Sequence, residues 1–380
     1  GIVSGVLGVL FALAQHDLKR LLAYHSIENI GIIAMGIGVG LIGWSAGMPV
    51  VAALGFAGGL LHVVNHALFK GLLFLGAGSV FHSVHTLEID HLGGLIKKMP
   101  ATGFTFLIGA VAISGLPPLN GFVSEFIIYI AAFSGAIKMD ICPAMFLVSA
   151  IAGLALIGGL AAACFTKAFG IVFLGEPRTQ EAQKARESSR WMTAPMMGLA
   201  AACILIGFLG PLLLPFMSPV TGTILSNPHS AEIKKAADYL LYVTAGSVVF
   251  LVLVAVIAGL RSRLLSGRTV GKALTWDCGY AAPTARMQYT ASSFAQPVIE
   301  LFQFFLRTKK HLTIPDTYFP SAANFESHTP DIGREHLYKP VFTGINKFFL
   351  RMKIVQEGRM HIYVLYIVIT LLVLLFWYMR

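Results

Sequence analysis

The sequence predicts an all-α fold, a polytopic transmembrane bundle of about nine spans with one discontinuous helix and a surface-lying C-terminal arm. Three observations carry this. Of 380 residues 56% are hydrophobic and only 12% charged, with a mean hydropathy of +0.75, whereas soluble domains carry about 25% charged residues. Apolar runs of membrane-spanning length recur along the chain. One of them is split by Leu116-Pro117-Pro118-Leu119-Asn120, which no continuous α-helix accepts.

The runs follow in order. A bilayer core about 30 Å thick needs roughly 20 helical residues. Gly1 to Gln15 is the tail of a first span, Leu21 to Trp44 a second, and Met48 to Val80 a third that is long enough to tilt, bend or project. Ala101 to Gly115 and Gly121 to Ala132 are short arms on either side of the break. Ala144 to Gly175, Pro195 to Phe216, Tyr239 to Leu260 and His361 to Met379 complete the set. If every run crosses once, the connections at 44 to 49, 116 to 120, 176 to 190 and 261 to 360 share one face. Their Lys and Arg excess marks that face as cytoplasmic. Two domains are expected: residues 1–216, and an extension over 217–380 holding two spans and a docking segment at 261–360. That segment is too polar to span and too aromatic for a plain linker, with Phe294, Phe302, Phe304, Phe305, Phe348 and Phe349 among its residues. The chain opens inside an apolar run without a signal-peptide pattern, which reads as a piece of a longer protein.

Composition also excludes functions. The formal charge of +10 lies in connections between spans and not on a basic face, so nucleic acid is not a partner. Cys142, Cys164, Cys203 and Cys278 are too far apart in sequence for a zinc or iron–sulfur spacing, so no cofactor is expected on this chain. Gly38-Val39-Gly40-Leu41-Ile42-Gly43 matches a dinucleotide-binding glycine pattern, but it lies inside a span with no preceding strand. Close helix packing through small residues explains it.

Ionisable residues inside apolar runs carry the functional signal, because each costs about 2.5–3.5 kcal/mol at the centre of a span on insertion scales. His62, His66 and Lys70 recur at i, i+4 and i+8 and so form one helical stripe able to pass a proton. The glutamate of an HExxH motif is missing and no third ligand lies nearby in sequence, so the two histidines are not read as a zinc site. Glu125 follows the Pro-Pro break, where an interrupted helix frees backbone groups beside a buried acid, a combination that suggests an ion path. Lys19 lies in the short connection before the second run, and His25 and Glu28 enter the membrane one or two turns later. Lys167 near the end of its run is either a snorkelling end or a relay exit.

Three ordered segments carry a family resemblance: QHDLKRLLAYHS at residues 15–26, HVVNHALFKGLLFLGAGSV at 62–80, and SGLPPLNGFVSE at 114–125. They resemble the antiporter-like proton-channel subunits of respiratory complex I and membrane-bound hydrogenases. The stretch TWDCGYAAPTARMQYTASSFAQP, Thr275 to Pro297, looks most like the hydrogenase-4 and formate hydrogenlyase branch. The resemblance implies the C-terminal half of a proton-channel domain, with Lys19, His62, His66 and Lys70 in the central relay and Glu125 as its terminal member. His25, Glu28 and Lys167 are further candidates. Some relatives carry Lys in place of Glu125. The resemblance also implies that the chain moves protons, or Na⁺, inside a lipid bilayer beside other membrane subunits, and that electron transfer sits on a peripheral iron–sulfur module. The competing expectation is a subunit of a multisubunit Na⁺(K⁺)/H⁺ antiporter.

Overall fold

The computed structural model describes residues 1–226, 230–269, 284, 285, 287–313, 324–331, 333–353, 358 and 360–379. They fall into two compact units, residues 1–307 and 308–380.

The first unit is helical throughout. Its elements are α1 (Ile2–Leu13), α2 (Leu18–Ser45), α3 (Pro49–Val84), α4 (Pro100–Ile113), α5 (Asn120–Ala136), α6 (Ile141–Phe173), the short α7 (Gln180–Gln183), α8 (Arg190–Leu213), α9 (Met217–Leu225), α10 (Ser230–Leu265), α11 (Ala291–Leu301) and α12 (Gln303–Leu306). Local chemistry sets the helix starts. The Asp17 side chain caps α2 by accepting the Arg20 N–H at 2.8 Å, and Pro49 and Pro100 open α3 and α4, where a missing N–H costs nothing. The 36-residue α3 is the hub, packed against α2, α4, α5 and α8. Gly40 and Gly55 bring α2 and α3 into backbone contact, since a Cβ on Gly55 would lie 2.4 Å from the Gly40 nitrogen. Within the glycine pattern at 38–43, Gly40 and Gly43 therefore form a helix-packing surface.

All nine apolar runs are helical. Among the described residues, six helices are long and apolar enough to cross a membrane, and α1, α4 and α5 are shorter. At about 1.5 Å per residue, α4 and α5 reach roughly 21 and 26 Å, and neither spans the hydrocarbon alone. They cross as one interrupted helix, and this corrects the expected sharing of faces. The Leu18 N–H bonds the Leu87 carbonyl at 2.9 Å, the Gly94 N–H bonds the Leu174 carbonyl at 2.8 Å, and Lys97 pairs with Glu176 at 2.5 Å. The loops at 14–17, 85–99 and 174–189 therefore lie together at one end of the bundle. The turn at 46–48 lies at the other end with the α5–α6 turn, where Val51 and Leu147 both approach Gly135. At the break Asn120 is fully buried and Leu119 nearly so, while Leu116 and Pro117 are exposed. A break inside the bundle reverses no direction, so counting it as a loop shifted the parity of every connection before it.

Residues 287–301 dock on the same end as 85–99 and 174–189. The Ala291 N–H donates to Asp90 at 2.7 Å, Arg178 donates to the Tyr289 carbonyl at 2.7 Å, and the Gln288 amide pairs with the Glu176 backbone at 3.0 and 3.2 Å. Burial alone would raise the Asp90 pKa. Hydrogen bonds from His16 and the Ala291 N–H, with the charges of His16 and Arg178, outweigh burial and hold the carboxyl below its usual range. Only part of the Thr275–Pro297 motif falls within the described residues.

The second unit holds two strands the sequence reading did not anticipate, β1 (Lys309–Thr313) and β2 (Asn324–His328), paired antiparallel with His311 opposite Glu326. A π-helical turn at Gly333–Tyr338 leads into the amphipathic α13 (Lys339–Met352). The apolar α14 (Met360–Tyr378) has no buried residue. These features fit a helical membrane protein whose apolar outer faces meet lipid.

Candidate functional site: a buried polar row

α2, α3, α5 and α6 each direct polar side chains into an otherwise apolar core. None of His25, Glu28, His62, Lys70, Glu125 and Lys167 exposes more than 7% of its surface. At one end the Lys167 ammonium of α6 donates to the carbonyls of Leu13 at 2.5 Å and Gln15 at 2.9 Å, beyond the end of α1. On α2, His25 pairs through Nδ1 with Glu28, and its ring lies 4.6 Å from that of Phe165. Gly8 permits this placement, because a Cβ there would lie 2.6 Å from the Glu28 nitrogen.

Asn29 continues the row. Its amide donates to the His25 carbonyl at 2.8 Å and to Glu28 at 3.2 Å, and its oxygen faces His62 Nε2 at 3.1 Å. His62 Nδ1 lies 2.9 Å from the Ser124 hydroxyl on α5. Asn65 donates to the Asn120 carbonyl at 2.7 Å and to Ser124 at 3.0 Å, which ties α3 to the start of α5. Glu125, next to Ser124, turns its carboxylate onto the break between α4 and α5 at Gly115.

Lys70 donates to the Leu22 carbonyl of α2 and lies 5.1 Å from the centre of the Phe74 ring. Glu28 is within Coulombic reach of both Lys70 and Glu125. His66 is partly buried beside Phe69, with ring centres 5.7 Å apart. Among the described residues, His66 Nε2, His25 Nε2, Glu28 Oε1 and Asn120 Oδ1 are buried polar atoms without a hydrogen-bond partner. Native interiors rarely leave such atoms unsatisfied unless water reaches them or they have a task.

The fold therefore brings together His25, Glu28, His62, Lys70, Glu125 and Lys167, with His66 at the margin. Lys19 stands apart. It sits in the first turn of α2, two residues after the capping Asp17, and is exposed on the outer face. The neutral members Asn29, Asn65, Asn120 and Ser124 carry no charge to mark them in the sequence. Their signal was present as amides and a hydroxyl inside apolar runs, with Asn65 between the two histidines. No cluster of three or more metal-ligating residues occurs among the described residues. The row offers groups that exchange protons, joined by groups that hold them in line.

Residues 1–152 match the family model described as NADH:quinone oxidoreductase/Mrp antiporter, TM. The chain is 35% identical over 392 aligned residues to hydrogenase-4 component B of Escherichia coli, covering 99% of this chain and 57% of that protein. It is 39% identical over 316 residues to formate hydrogenlyase subunit 3 of the same organism, covering 82% and 50%. The chain thus spans about half the length of the curated relatives it matches. A chain of the archaeal membrane-bound sulfane sulfur reductase shares the fold with a TM-score of 0.62 at 23% identity, over 98% of this chain and 54% of that one. All three motifs that carried the resemblance lie inside residues 1–152, the segment that matches the transmembrane model of the NADH:quinone oxidoreductase/Mrp antiporter family.

Proposed function

We propose that this chain is part of the ion-translocating membrane subunit of a redox-driven proton pump of the hydrogenase-4 or formate hydrogenlyase type. The single observation that carries the reading is the buried hydrogen-bonded row His25–Glu28–Asn29–His62–Ser124, with Lys167 and Glu125 buried in the same core. It couples titratable groups on four helices inside an apolar bundle, which membrane proteins retain for ion paths. The similarity to hydrogenase-4 component B and formate hydrogenlyase subunit 3 supports the choice of complex.

The mechanism is electrostatic. Two unit charges about 8 Å apart interact by roughly 2 kcal/mol at an effective dielectric near 20, enough to move a pKa by more than one unit. A change of charge at one end of the row then alters the proton affinity of the next group, and a proton is drawn from one face and released to the other. Water at His66 Nε2, His25 Nε2 and Glu28 Oε1 completes the wire. Lys19, at the surface end of α2, serves in this reading as a gate to the row. Electrons travel through partner subunits that include an iron–sulfur module.

The end carrying the loops at 85–99 and 174–189 faces the cytoplasm of a prokaryotic inner membrane. Lys97, Lys98, Arg178, Lys184, Arg186 and Arg190 cluster there, joined beyond α10 by Arg261, Arg263 and Arg268, against Lys138, Lys234 and Lys235 at the other end.

The test is redox-driven acidification of sealed vesicles containing the complete protein in its native complex. Lys70→Ala and Glu125→Gln are compared with wild type while assembly is monitored. Normal assembly with pumping reduced at least tenfold supports the reading, and normal pumping in both variants overturns it. Pumping that requires Na⁺ or K⁺ and persists without redox turnover instead identifies a cation/proton antiporter.

A further inference from the structure

We infer that Asn29 and Ser124 are positioning residues that confine proton exchange at His62 to one ring nitrogen and let that histidine gain and lose charge with no heavy atom moving. The inference rests on the ion-path reading above and adds to it a site of exchange and two neutral residues.

The hydrogen-bond pattern leaves one assignment. The Asn29 amide nitrogen lies 2.8 Å from the His25 carbonyl, a group that only accepts, and its second hydrogen faces Glu28 at 3.2 Å. The Asn29 oxygen is therefore the atom 3.1 Å from His62 Nε2, and Nε2 must carry a hydrogen in order to donate to it. Exchange is left to Nδ1, which faces the Ser124 hydroxyl at 2.9 Å.

Ser124 satisfies Nδ1 in both charge states. With His62 neutral, the hydroxyl donates to Nδ1 while its oxygen accepts from Asn65 at 3.0 Å, and the remaining lone pair lies on the side of the Gly121 carbonyl. A proton delivered by a protonated water binds that lone pair as the original hydroxyl hydrogen passes to Nδ1. The products are imidazolium, an intact serine hydroxyl and water, so atoms and charge balance. The Nδ1–H then donates to the serine oxygen, and the new hydroxyl hydrogen turns to the Gly121 carbonyl, 3.1 Å away. Every polar atom of His62 and Ser124 is paired before and after the transfer. The Asn65 bonds to Ser124 and to the Asn120 carbonyl hold α5 at this distance through both states.

The geometry separates hydroxyl chemistry from shape. Ser124→Ala removes the partner of Nδ1, whereas Ser124→Thr restores a hydroxyl at the same carbon. In the assembled complex in sealed vesicles, protons moved per electron should fall at least tenfold for Ser124→Ala and return to within about twofold of wild type for Ser124→Thr. Asn29→Leu, which frees the tautomer, should behave as Ser124→Ala does. If Ser124→Ala does not assemble, Ser124→Gly, which also lacks the hydroxyl, is measured against the same two expectations. An assembled Ser124→Ala (or Gly) complex that pumps normally overturns the inference, as does a Ser124→Thr complex that fails equally. Lys70→Ala measured alongside keeps the two failures distinct: if it abolishes pumping while Ser124→Ala does not, this inference alone is lost, and if neither matters, the ion-path reading falls with it.

Discussion

Gly115 makes room for the Glu125 carboxylate. A Cβ built on this glycine would lie 2.6 Å from Glu125 Oε2, and its φ of +61° is one that L side chains rarely adopt. The broken helix thus places its acid and its glycine in direct contact, and the carboxylate occupies space that the missing side chain leaves.

Gly115→Ala should act twice. The left-handed backbone costs about 1 kcal/mol or more with any L side chain, and the new methyl drives the carboxylate from its place. We expect an assembled complex whose proton translocation falls about as far as that of Glu125→Gln. Translocation at the wild-type rate would show that the contact has no role in the path.

Lys167 anchors α6 to the end of α1 through the Leu13 and Gln15 carbonyls. Lys167→Met keeps the aliphatic stem but leaves both carbonyls buried without this donor. Charge-assisted bonds of this kind contribute about 1.5–3 kcal/mol each, so thermal stability of the detergent-solubilised complex should drop measurably. Lys167→Arg should recover stability. If it also recovers pumping, the charge suffices at this position; if stability returns and pumping does not, the lysine itself takes part in transfer.

The docking of α11 should depend on pH. The Asp90 pKa lies below its ordinary carboxylate value in the folded chain, so its contribution is fully present above the ordinary range and is lost as pH falls through the lower folded value. Protection of the backbone amides of 287–301, taken as exchange relative to the intrinsic rate at each pH, should be high at neutral pH and fall on acidification. Asp90→Asn should lower it at neutral pH by the equivalent of about 1 kcal/mol, a modest figure because Asp90 is partly solvent-screened. Unchanged exchange in Asp90→Asn would mean that the Gln288 and Arg178 bonds alone hold the segment.

Gly55→Leu should prevent α2 and α3 from closing. With the Gly40 nitrogen only 2.4 Å from the position of a new Cβ, the helices must separate, and the register between Asn29 and His62 is lost with them. We expect poor assembly on native gels, whereas Gly38→Leu, whose Cβ meets nothing within 4 Å, should assemble normally.

The sequence by itself determined the nine apolar helices and several of the charged members of the site. Apolar runs between polar breaks define nine helices, since an ordinary hydrocarbon-length segment must satisfy its own backbone bonds. His62, Lys70 and Glu125 stood out because a titratable group in such a run is costly enough to need a reason. Only the tertiary structure decided which connections share a face, because parity depends on whether the Pro-Pro break lies inside the bundle or at its surface. It also decided that Lys19 lies outside the row and Lys167 within it. Both are single lysines near the ends of apolar runs, and burial depends on what packs across from each. The neutral bridge of Asn29, Asn65 and Ser124 was the least legible part. A hydrogen bond between helices depends on register and rotation, which are fixed by contacts such as Gly40 with Gly55, far along the chain from the residues they align.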